Sequence, residues 1–298
     1  MTLFPTQPNI PSPTTAARPV AVPAPGVSAP LGADDAKRAR ILADAIRARF
    51  AQTLVGQDNL RESLIVTLVA GGHILIESVP GLAKTTAAQT LATCVSGSFK
   101  RVQCTPDLMP SDLVGTQVFD FASQKFTTQI GPIHANFVLL DEINRSNAKT
   151  QSAMLEAMAE GATTIGGQRI ALPKPFMVIA TQNPIEQAGT YRLPEAQLDR
   201  FLMKVLVDYP SKAHEQQVMQ LVREEQRQKY ARSDRGEEAA TAPDLRITQE
   251  EVLSCWQEIA QVHVAPTVEA YIVNLVGMTR HPQGVSDELA SYITLGVS

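Results

Sequence analysis

The segment from Ser78 to Thr86 has the residue types and spacing of a phosphate-binding loop. It consists of Ser78, Val79, Pro80, Gly81, Leu82, Ala83, Lys84, Thr85 and Thr86. Backbone N–H groups at the start of a helix attract an anion, because they are unpaired and lie at the positive end of the helix dipole. If the anion belongs to ATP or ADP, Lys84 would hold the β- and γ-phosphates, and the Thr85 hydroxyl would bind Mg²⁺.

Two positions of this loop depart from the strict pattern. Ser78 and Ala83 stand where the pattern has glycine, whereas Gly81, Lys84 and Thr85 remain. We expect Ala83 to cost little, provided that its backbone keeps a negative φ. The alternative for the segment is a glycine-containing turn followed by a lysine at a helix start.

A pair of carboxylates ends an apolar run further along the chain. Residues 137 to 140 are Phe-Val-Leu-Leu, and Asp141 and Glu142 follow at once. If the run is a parallel strand, its carboxyl end lies beside the loop that follows a neighbouring strand. Asp141 would then hold Mg²⁺ through its water shell, and Glu142 would polarise the attacking water. The alternative is an acidic pair that merely begins a loop.

A third apolar run, from Phe176 to Thr181, ends at Gln182-Asn183-Pro184. The amide of Asn183 could orient the same water from the same edge of the sheet. Most Asn-Pro pairs simply start turns, which is the alternative here.

Strands and helices alternate around these residues. Apolar runs predict strands within residues 73–79, 99–104, 137–140, 176–180 and 204–207, and helical patterns predict helices at 34–51, 58–69, 85–95 and 149–159. Such alternation indicates an α/β fold with a parallel sheet. Two β-hairpins are expected as inserts, with turns near residues 122–124 and at Gly166-Gly167.

Composition narrows the class of protein. The 298 residues carry a formal net charge of -4, which argues against a strongly basic surface for nucleic acid. The apolar runs are too short to span a membrane, and the first residues do not have the pattern of a secretory signal. The expected location is the cytoplasm.

The chain divides into four parts by composition. Residues 1–30 hold eight of the 20 prolines and one charged side chain, so residues 1–33 are predicted to be a disordered tail. The core is expected at 34–222. Half of the residues from 223 to 244 are charged, which indicates a linker at 223–246. Three helices and a capping box at Thr248 and Glu251 predict a small helical domain at 247–298.

Several longer runs resemble the MoxR family of AAA+ ATPases. They are residues 141–145 (DEINR), 149–158 (KTQSAMLEAM), 180–184 (ATQNP) and 193–201 (LPEAQLDRF), with Val55-Gly56-Gln57 and Gly131-Pro132 fitting the same pattern. The resemblance covers about residues 34 to 298. It implies a P-loop core with a five-stranded parallel sheet, β-hairpin inserts and a helical lid.

The resemblance also implies roles for individual residues. Lys84 and Thr85 correspond to the Walker A pair, Asp141 and Glu142 to the Walker B pair, and Asn183 to sensor 1. Val55, Gly56 and Gln57 would lie near the adenine. Arg200 would reach the γ-phosphate in the neighbouring subunit of a homo-oligomeric ring, expected to be a hexamer; the alternative is an arginine paired with Asp199 or Glu195. Arg145 could sense the neighbour or brace the ring, or it is a surface arginine.

The end of the chain departs from the family pattern. Family members continue past a Leu-Gly-Ala-Ser-like turn into Pro-Arg, whose arginine is sensor 2, whereas the sequence here stops at Leu295-Gly296-Val297-Ser298. We expect a fragment cut within the lid, which binds ADP or ATP but turns over poorly. The other explanation is a protein that lacks this arginine.

The sequence thus predicts a Mg²⁺-dependent ATPase that remodels or matures a protein client, in the manner of a chaperone. By resemblance, the client would contain a von Willebrand A-type domain. Two other classes stay open: a DNA-associated or chelatase-like AAA+ motor, and a nucleotide-binding scaffold that does not hydrolyse ATP.

Overall fold

The computed structural model describes residues 37–79, 81–184, 191, 193–233, 247–293 and 296. The predicted tail at 1–33 and Pro80 of the phosphate loop lie outside these residues. The prediction for the tail therefore stays a prediction.

Nine strands and ten α-helices are found in the described part of the chain. The strands are β1 (Ile74–Ser78), β2 (Phe99–Gln103), β3 (Gly115–Asp120), β4 (Lys125–Ile130), β5 (Phe137–Asp141), β6 (Ala162–Ile165), β7 (Gln168–Ala171), β8 (Met177–Gln182) and β9 (Met203–Val207). The helices are α1 (Lys37–Thr53), α2 (Asp58–Val69), α3 (Lys84–Cys94), α4 (Pro110–Val114), α5 (Ala148–Glu160), α6 (Glu195–Leu198), α7 (Lys212–Ser233), α8 (Gln249–Ile259), α9 (Pro266–Arg280) and α10 (Asp287–Tyr292).

Five parallel strands form the central sheet in the order β2-β5-β8-β1-β9. The inner strands β1, β5 and β8 consist mainly of apolar residues that are buried on both faces, as is typical of parallel sheets, and each ends in polar residues. The predicted α/β fold with a five-stranded parallel sheet is confirmed. Strand β2 differs from the buried strand expected at this position, because it lies at the edge of the sheet and four of its five residues are partly or fully exposed.

The sheet separates two clusters of buried apolar side chains. One lies among α1, α2, α3 and one face of the sheet, and includes Phe50, Leu64 and Leu91. The other lies between the opposite face and α5, and includes Leu113, Leu140 and Met154. These clusters hold the strands in register, so the residues that follow β1, β5 and β8 are fixed at one edge of the sheet.

Two β-hairpins project from this core, as predicted. Strands β3 and β4 form one, and β6 and β7 form the other. The second turns at Gly166 and Gly167, which have φ of 55° and 80°. The Gln117 side chain lies over Gly166, where an added Cβ would come within 2.0 Å of it. The two hairpins therefore contact each other.

The helices after the sheet differ in how they pack. Helix α7 continues to Ser233, past the expected end of the core at residue 222, and residues 234–246 lie outside the described part. The capping box at Thr248 and Glu251 starts α8. Val252 and Cys255 of α8 are buried in the same cluster as α1, and Nε1 of Trp256 donates a 2.7 Å hydrogen bond to the Leu68 carbonyl. The division into a core and a lid at residue 247 stays a prediction.

Candidate functional site

The predicted phosphate loop connects β1 to the first residue of α3, Lys84. Gly81 has φ of 85° and Ala83 has φ of 53°. The expectation that Ala83 keeps a negative φ is therefore wrong. Ala83 adopts the left-handed conformation because it stands where the strict pattern has glycine, and its Cβ makes this conformation cost about 1–2 kcal/mol.

Lys84 is half-buried and lies within the loop that it follows. Its Nζ donates to the carbonyls of Ser78, at 3.4 Å, and Val79, at 3.3 Å. Burial lowers the pKa of Lys84, although Asp141 and Glu142 lie close enough to oppose this shift. The loop and the two carboxylates lie at the carboxyl ends of β1 and β5, at the same edge of the parallel sheet.

Asp141 is the last residue of β5 and is fixed from two sides. The Thr181 hydroxyl donates to its Oδ1 at 2.7 Å, and the Arg101 guanidinium lies 2.6 Å from its Oδ2. The Asp141 side chain is 13% exposed, so the rest of it is enclosed by protein. These contacts fix the orientation of the Asp141 carboxylate at the carboxyl end of β5.

Glu142 follows in the left-handed conformation, with φ of 59°. Its N–H donates to the Thr181 hydroxyl at 2.9 Å, and its Oε2 accepts from Nε2 of Gln103 at the same distance. Arg145 contributes an ion pair, with NH1 at 3.2 Å from Oε2. Non-glycine residues in this conformation cluster at functional sites, where the surrounding contacts offset the strain.

Arg101, Gln103 and Thr181 also belong to this site, although the motifs in the sequence did not predict them. Arg101 and Gln103 alternate on β2, and Gln103 is in register with Asp141. The signal that could have found Arg101 and Gln103 is the position of β2 next to β5, which places polar side chains at i and i+2 of an exposed strand beside the carboxylates.

Asn183 is buried directly after β8, one residue beyond the register pair Glu77–Gln182. It therefore lies beside Ser78, at the same edge as Lys84 and Asp141. Thr85 and Thr86 occupy the first turn of α3. The structure thus brings four predicted residues, Lys84, Asp141, Glu142 and Asn183, to one edge of the sheet.

The segment from Val55 to Gln57 also lies at this edge. Nε2 of Gln57 donates to the carbonyl of Asp208 at 3.3 Å, just after β9 ends. Gly56 has φ of 72°. A Cβ at this position would lie 2.5 Å from ring atoms of His214, so the glycine leaves space for that ring. The segment lies on the β9 side of the phosphate loop.

Arg200 does not join the other residues. It is exposed and follows the one-turn helix α6, before β9 begins. The N–H of Leu202 donates to the carbonyl of His73, so this region lies at the amino end of β1. The length of a five-residue strand, roughly 16 Å, separates that end from the phosphate loop of the same chain.

The donor set fits a hard cation that is bound together with phosphate. Among the described residues, no group of three or more His, Cys, Asp or Glu side chains could hold a metal by itself. Thr85 and Asp141 offer one hydroxyl and one carboxylate, which are oxygen ligands of the kind that Mg²⁺ takes from proteins while phosphates and waters supply the rest. In the parts of the chain that the structure covers, we find no helix with the length and apolarity of a membrane span.

Comparison with known proteins agrees with this geometry. Residues 73–203 match the model of the ATPase family associated with various cellular activities, AAA. A crystal structure of a candidate ATPase from Cytophaga hutchinsonii superposes with a TM-score of 0.73, at 39% identity, and covers 88% of this chain and 77% of its own.

Two curated relatives are similar over most of the chain. The chaperone MoxR1 of Mycobacterium tuberculosis is 41% identical over 82% of this chain and 62% of its own length. The protein YeaC of Bacillus subtilis is also 41% identical, over 78% of this chain and 69% of its own length. The chain thus spans less than two thirds of MoxR1. Together with the shared fold and the AAA model, these similarities show that the chain belongs to the MoxR family of AAA ATPases.

Proposed function

We propose that this protein binds Mg²⁺·ATP at the carboxyl edge of its sheet and hydrolyses it. The observation that supports this proposal most is that Lys84, Asp141, Glu142 and Asn183 lie at one edge of the sheet. Lys84 is close enough to both carboxylates to interact with them electrostatically. Membership of an ATPase family agrees with the reaction.

Each residue has a distinct task in this proposal. Lys84 exchanges its bonds to the loop carbonyls for the β- and γ-phosphates, and the N–H groups at the start of α3 surround the same anion. Thr85 and Asp141 would hold Mg²⁺, which would neutralise charge on the phosphates. Glu142 accepts a proton from the attacking water, and Asn183 orients that water.

Glu142 must change partners before it can act. In the structure its Oε2 accepts from Gln103 and pairs with Arg145. These contacts hold the Glu142 carboxylate through its Oε2 atom. A scaffold that binds nucleotide without hydrolysis is the second candidate, because the same contacts would keep Glu142 away from water if they persisted.

The variant Glu142→Gln separates the two candidates. We expect it to bind ATP as tightly as the wild-type protein, since the amide keeps its size and position, and to lose at least about a hundredfold in hydrolysis. Glu156→Gln, an exposed change on α5, serves as the control and should keep wild-type turnover. Wild-type protein that binds ATP and never hydrolyses it, even when oligomeric, would favour the scaffold.

We further propose that the protein acts as a homo-oligomeric ring in which Arg200 completes the site of the next subunit. The support is that Arg200 is exposed and lies at the amino end of the strands, away from the phosphate loop of its own chain. A guanidinium at the γ-phosphate would stabilise the charge that develops in the transition state.

Subunit mixing tests the ring directly. Arg200→Ala and Glu142→Gln proteins should each be inactive alone. Mixed together, they should regain part of the activity, because some interfaces then combine an intact Glu142 with an intact Arg200. A chain carrying both changes is the control, because mixing it with either single variant creates no interface that has both groups and should restore no activity. No recovery on mixing would contradict action between subunits.

The client is proposed to be a protein, with remodelling or maturation as the task. The support is similarity to a relative named a chaperone, together with the resemblance that suggests a partner with a von Willebrand A-type domain. The Glu142→Gln protein, held with ATP, should capture that client from an extract, whereas Lys84→Ala should not. Capture that does not depend on ATP would contradict an ATP-driven cycle.

A further inference from the structure

Arg101 makes a contact that the proposed reaction does not use. Its guanidinium lies 2.6 Å from Oδ2 of Asp141, the carboxylate proposed to hold Mg²⁺. The Arg101 side chain is 50% exposed, whereas that of Asp141 is 13% exposed. The arginine therefore reaches from the solvent-facing edge of the sheet into an enclosed part of the site.

The two oxygens of Asp141 are both engaged. Thr181 donates to Oδ1 from β8, and Arg101 binds Oδ2 from β2. Only Arg101 of these two partners carries charge. Two cations on one carboxylate repel each other, so a metal ion that binds Asp141 must weaken or displace the guanidinium.

The arginine also influences Glu142 through one intermediate residue. The NH2 group of Arg101 donates to Oε1 of Gln103 at 3.4 Å, and Nε2 of Gln103 donates to Oε2 of Glu142 at 2.9 Å. Arg101 thus helps to orient the amide that holds Glu142. Movement of Arg101 away from Asp141 would loosen this amide as well.

We propose that Arg101 is a positioning residue that serves as a built-in counter-cation for Asp141 and competes there with Mg²⁺. The inference rests on the proposed Mg²⁺·ATP site. While the site lacks metal, the guanidinium balances the charge of the adjacent carboxylates. When Mg²⁺ enters with nucleotide, Arg101 leaves Oδ2, and its departure frees the Gln103 amide. The strength of the Arg101–Asp141 pair therefore sets the Mg²⁺ concentration that the site requires.

A simple surface ion pair is the competing explanation. Half-exposed pairs of that kind contribute little to stability, and their removal leaves metal binding unchanged. The distinction thus lies in the metal requirement and not in the free energy of unfolding. Lys100 provides a matched control, because it is the neighbouring residue on β2, is also exposed and carries the same charge.

The test is a Mg²⁺ titration of fluorescent ADP binding with wild-type, R101Q and K100Q proteins. We expect R101Q to lower the Mg²⁺ concentration at half-saturation about three- to tenfold, since one charge-assisted hydrogen bond no longer opposes the metal. The Mg²⁺ concentration at half-saturation of K100Q should stay within about twofold of wild type, because this change alters only the long-range electrostatic potential at the site. A requirement that is unchanged or higher in R101Q would overturn the proposal.

A second measurement follows the metal ion directly. With ADP held at saturation, Mn²⁺ binding, followed by electron paramagnetic resonance, should be tighter in R101Q than in wild type, and equal affinities would overturn the competition. Should R101Q be unstable to heat, R101M keeps the aliphatic stem and repeats both measurements with the same expected direction. If Mg²⁺ has no effect on ADP binding by wild type, the proposed metal site fails. If wild type responds and R101Q matches it, only the role of Arg101 fails.

Discussion

The hydroxyl of Thr181 donates a 2.7 Å hydrogen bond to Oδ1 of Asp141, and through it β8 is joined to β5 at the carboxyl edge of the sheet. The Thr181 hydroxyl oxygen also accepts a 2.9 Å hydrogen bond from the N–H of Glu142. Thr181 is fully buried. One hydroxyl thus orients the first carboxylate and stabilises the left-handed backbone of the second.

Replacing Thr181 by valine should damage both roles, because the shape is kept while the hydroxyl is lost. We expect the free energy of unfolding to fall by about 1–3 kcal/mol, since the Glu142 N–H and Asp141 Oδ1 each lose a buried partner. ATP turnover should fall at least about tenfold. Thr181→Ser keeps the hydroxyl and should stay close to wild type in turnover. Denaturant unfolding and steady-state hydrolysis check both values, and wild-type turnover in the valine variant would contradict the role assigned to Thr181.

Glycine in place of Ala83 should stabilise the phosphate loop. The left-handed conformation of Ala83 costs about 1–2 kcal/mol, part of which is offset because glycine gains more entropy on unfolding. We therefore expect Ala83→Gly to raise the free energy of unfolding by about 0.5–1 kcal/mol and to tighten ADP binding. Gly81→Ala is the opposite control: φ is 85° and no described atom lies within 4 Å of its added Cβ, so any loss is due to backbone strain. A destabilised Ala83→Gly protein would contradict this assignment of strain.

Nucleotide binding should take up protons at alkaline pH. Burial lowers the pKa of Lys84 from its ordinary value of 10.5, whereas a bound phosphate favours the charged amine and raises the pKa again. Affinity for ADP should therefore fall as the pH rises through the lowered pKa. Calorimetry at about pH 9 in two buffers of different ionisation enthalpy measures the uptake. The Lys84→Arg variant should bind without this uptake, and equal heats for wild type in both buffers would argue against it.

Acid should destabilise the fold through His73. Its Nδ1 accepts from the Val178 N–H at 3.1 Å, and burial lowers its pKa below 6.5. The folded protein holds His73 neutral, whereas the unfolded chain protonates it below about pH 6.5. The contribution of neutral His73 to the free energy of unfolding is therefore complete above about pH 6.5. It is lost as the pH falls below this value, at up to about 1.4 kcal/mol per pH unit. His73→Asn keeps an acceptor that does not titrate, so its unfolding free energy should depend less on pH.

His134 is the matched control for that measurement. Burial lowers its pKa too, and its Nε2 lies 3.0 Å from the Thr163 hydroxyl. His134→Asn should remove a smaller part of the pH dependence, because His134 is less buried than His73. Equal slopes in wild type and His73→Asn between about pH 6.5 and 5 would exclude the role of His73.

Local pattern predicted most of the sheet and the residues at its edge. The strands β1, β5 and β8 are short apolar runs, and each ends in the polar residues that carry the chemistry. Their meeting at one edge follows from parallel topology alone. The hairpin at Gly166-Gly167 was predictable because a Gly-Gly pair favours a tight turn in which both residues have a positive φ, as they do in the structure.

Contacts between distant parts of the chain could not be predicted from these patterns. Arg101 and Thr181 reach Asp141 from different strands, and their pairing depends on the strand order and register of the sheet. The positive φ of Ala83 was also not predicted. Alanine normally adopts a negative φ, so the residue type does not reveal that the loop requires a positive one. The packing of α8 against α1 likewise depends on tertiary contacts between residues that lie 219 and 220 positions apart in the sequence.

Lys84 and the carboxylates at the same edge of the sheet are proposed to form the nucleotide site. Calorimetric titration of ADP into wild-type and Lys84→Ala protein, both with Mg²⁺, tests this proposal most directly, with the exposed Lys149→Ala as the control. We predict that wild type and Lys149→Ala bind alike, and that Lys84→Ala binds about 30-fold more weakly or worse, because a charge-assisted contact to two phosphates is lost. Equal affinity of Lys84→Ala and wild type would contradict the account.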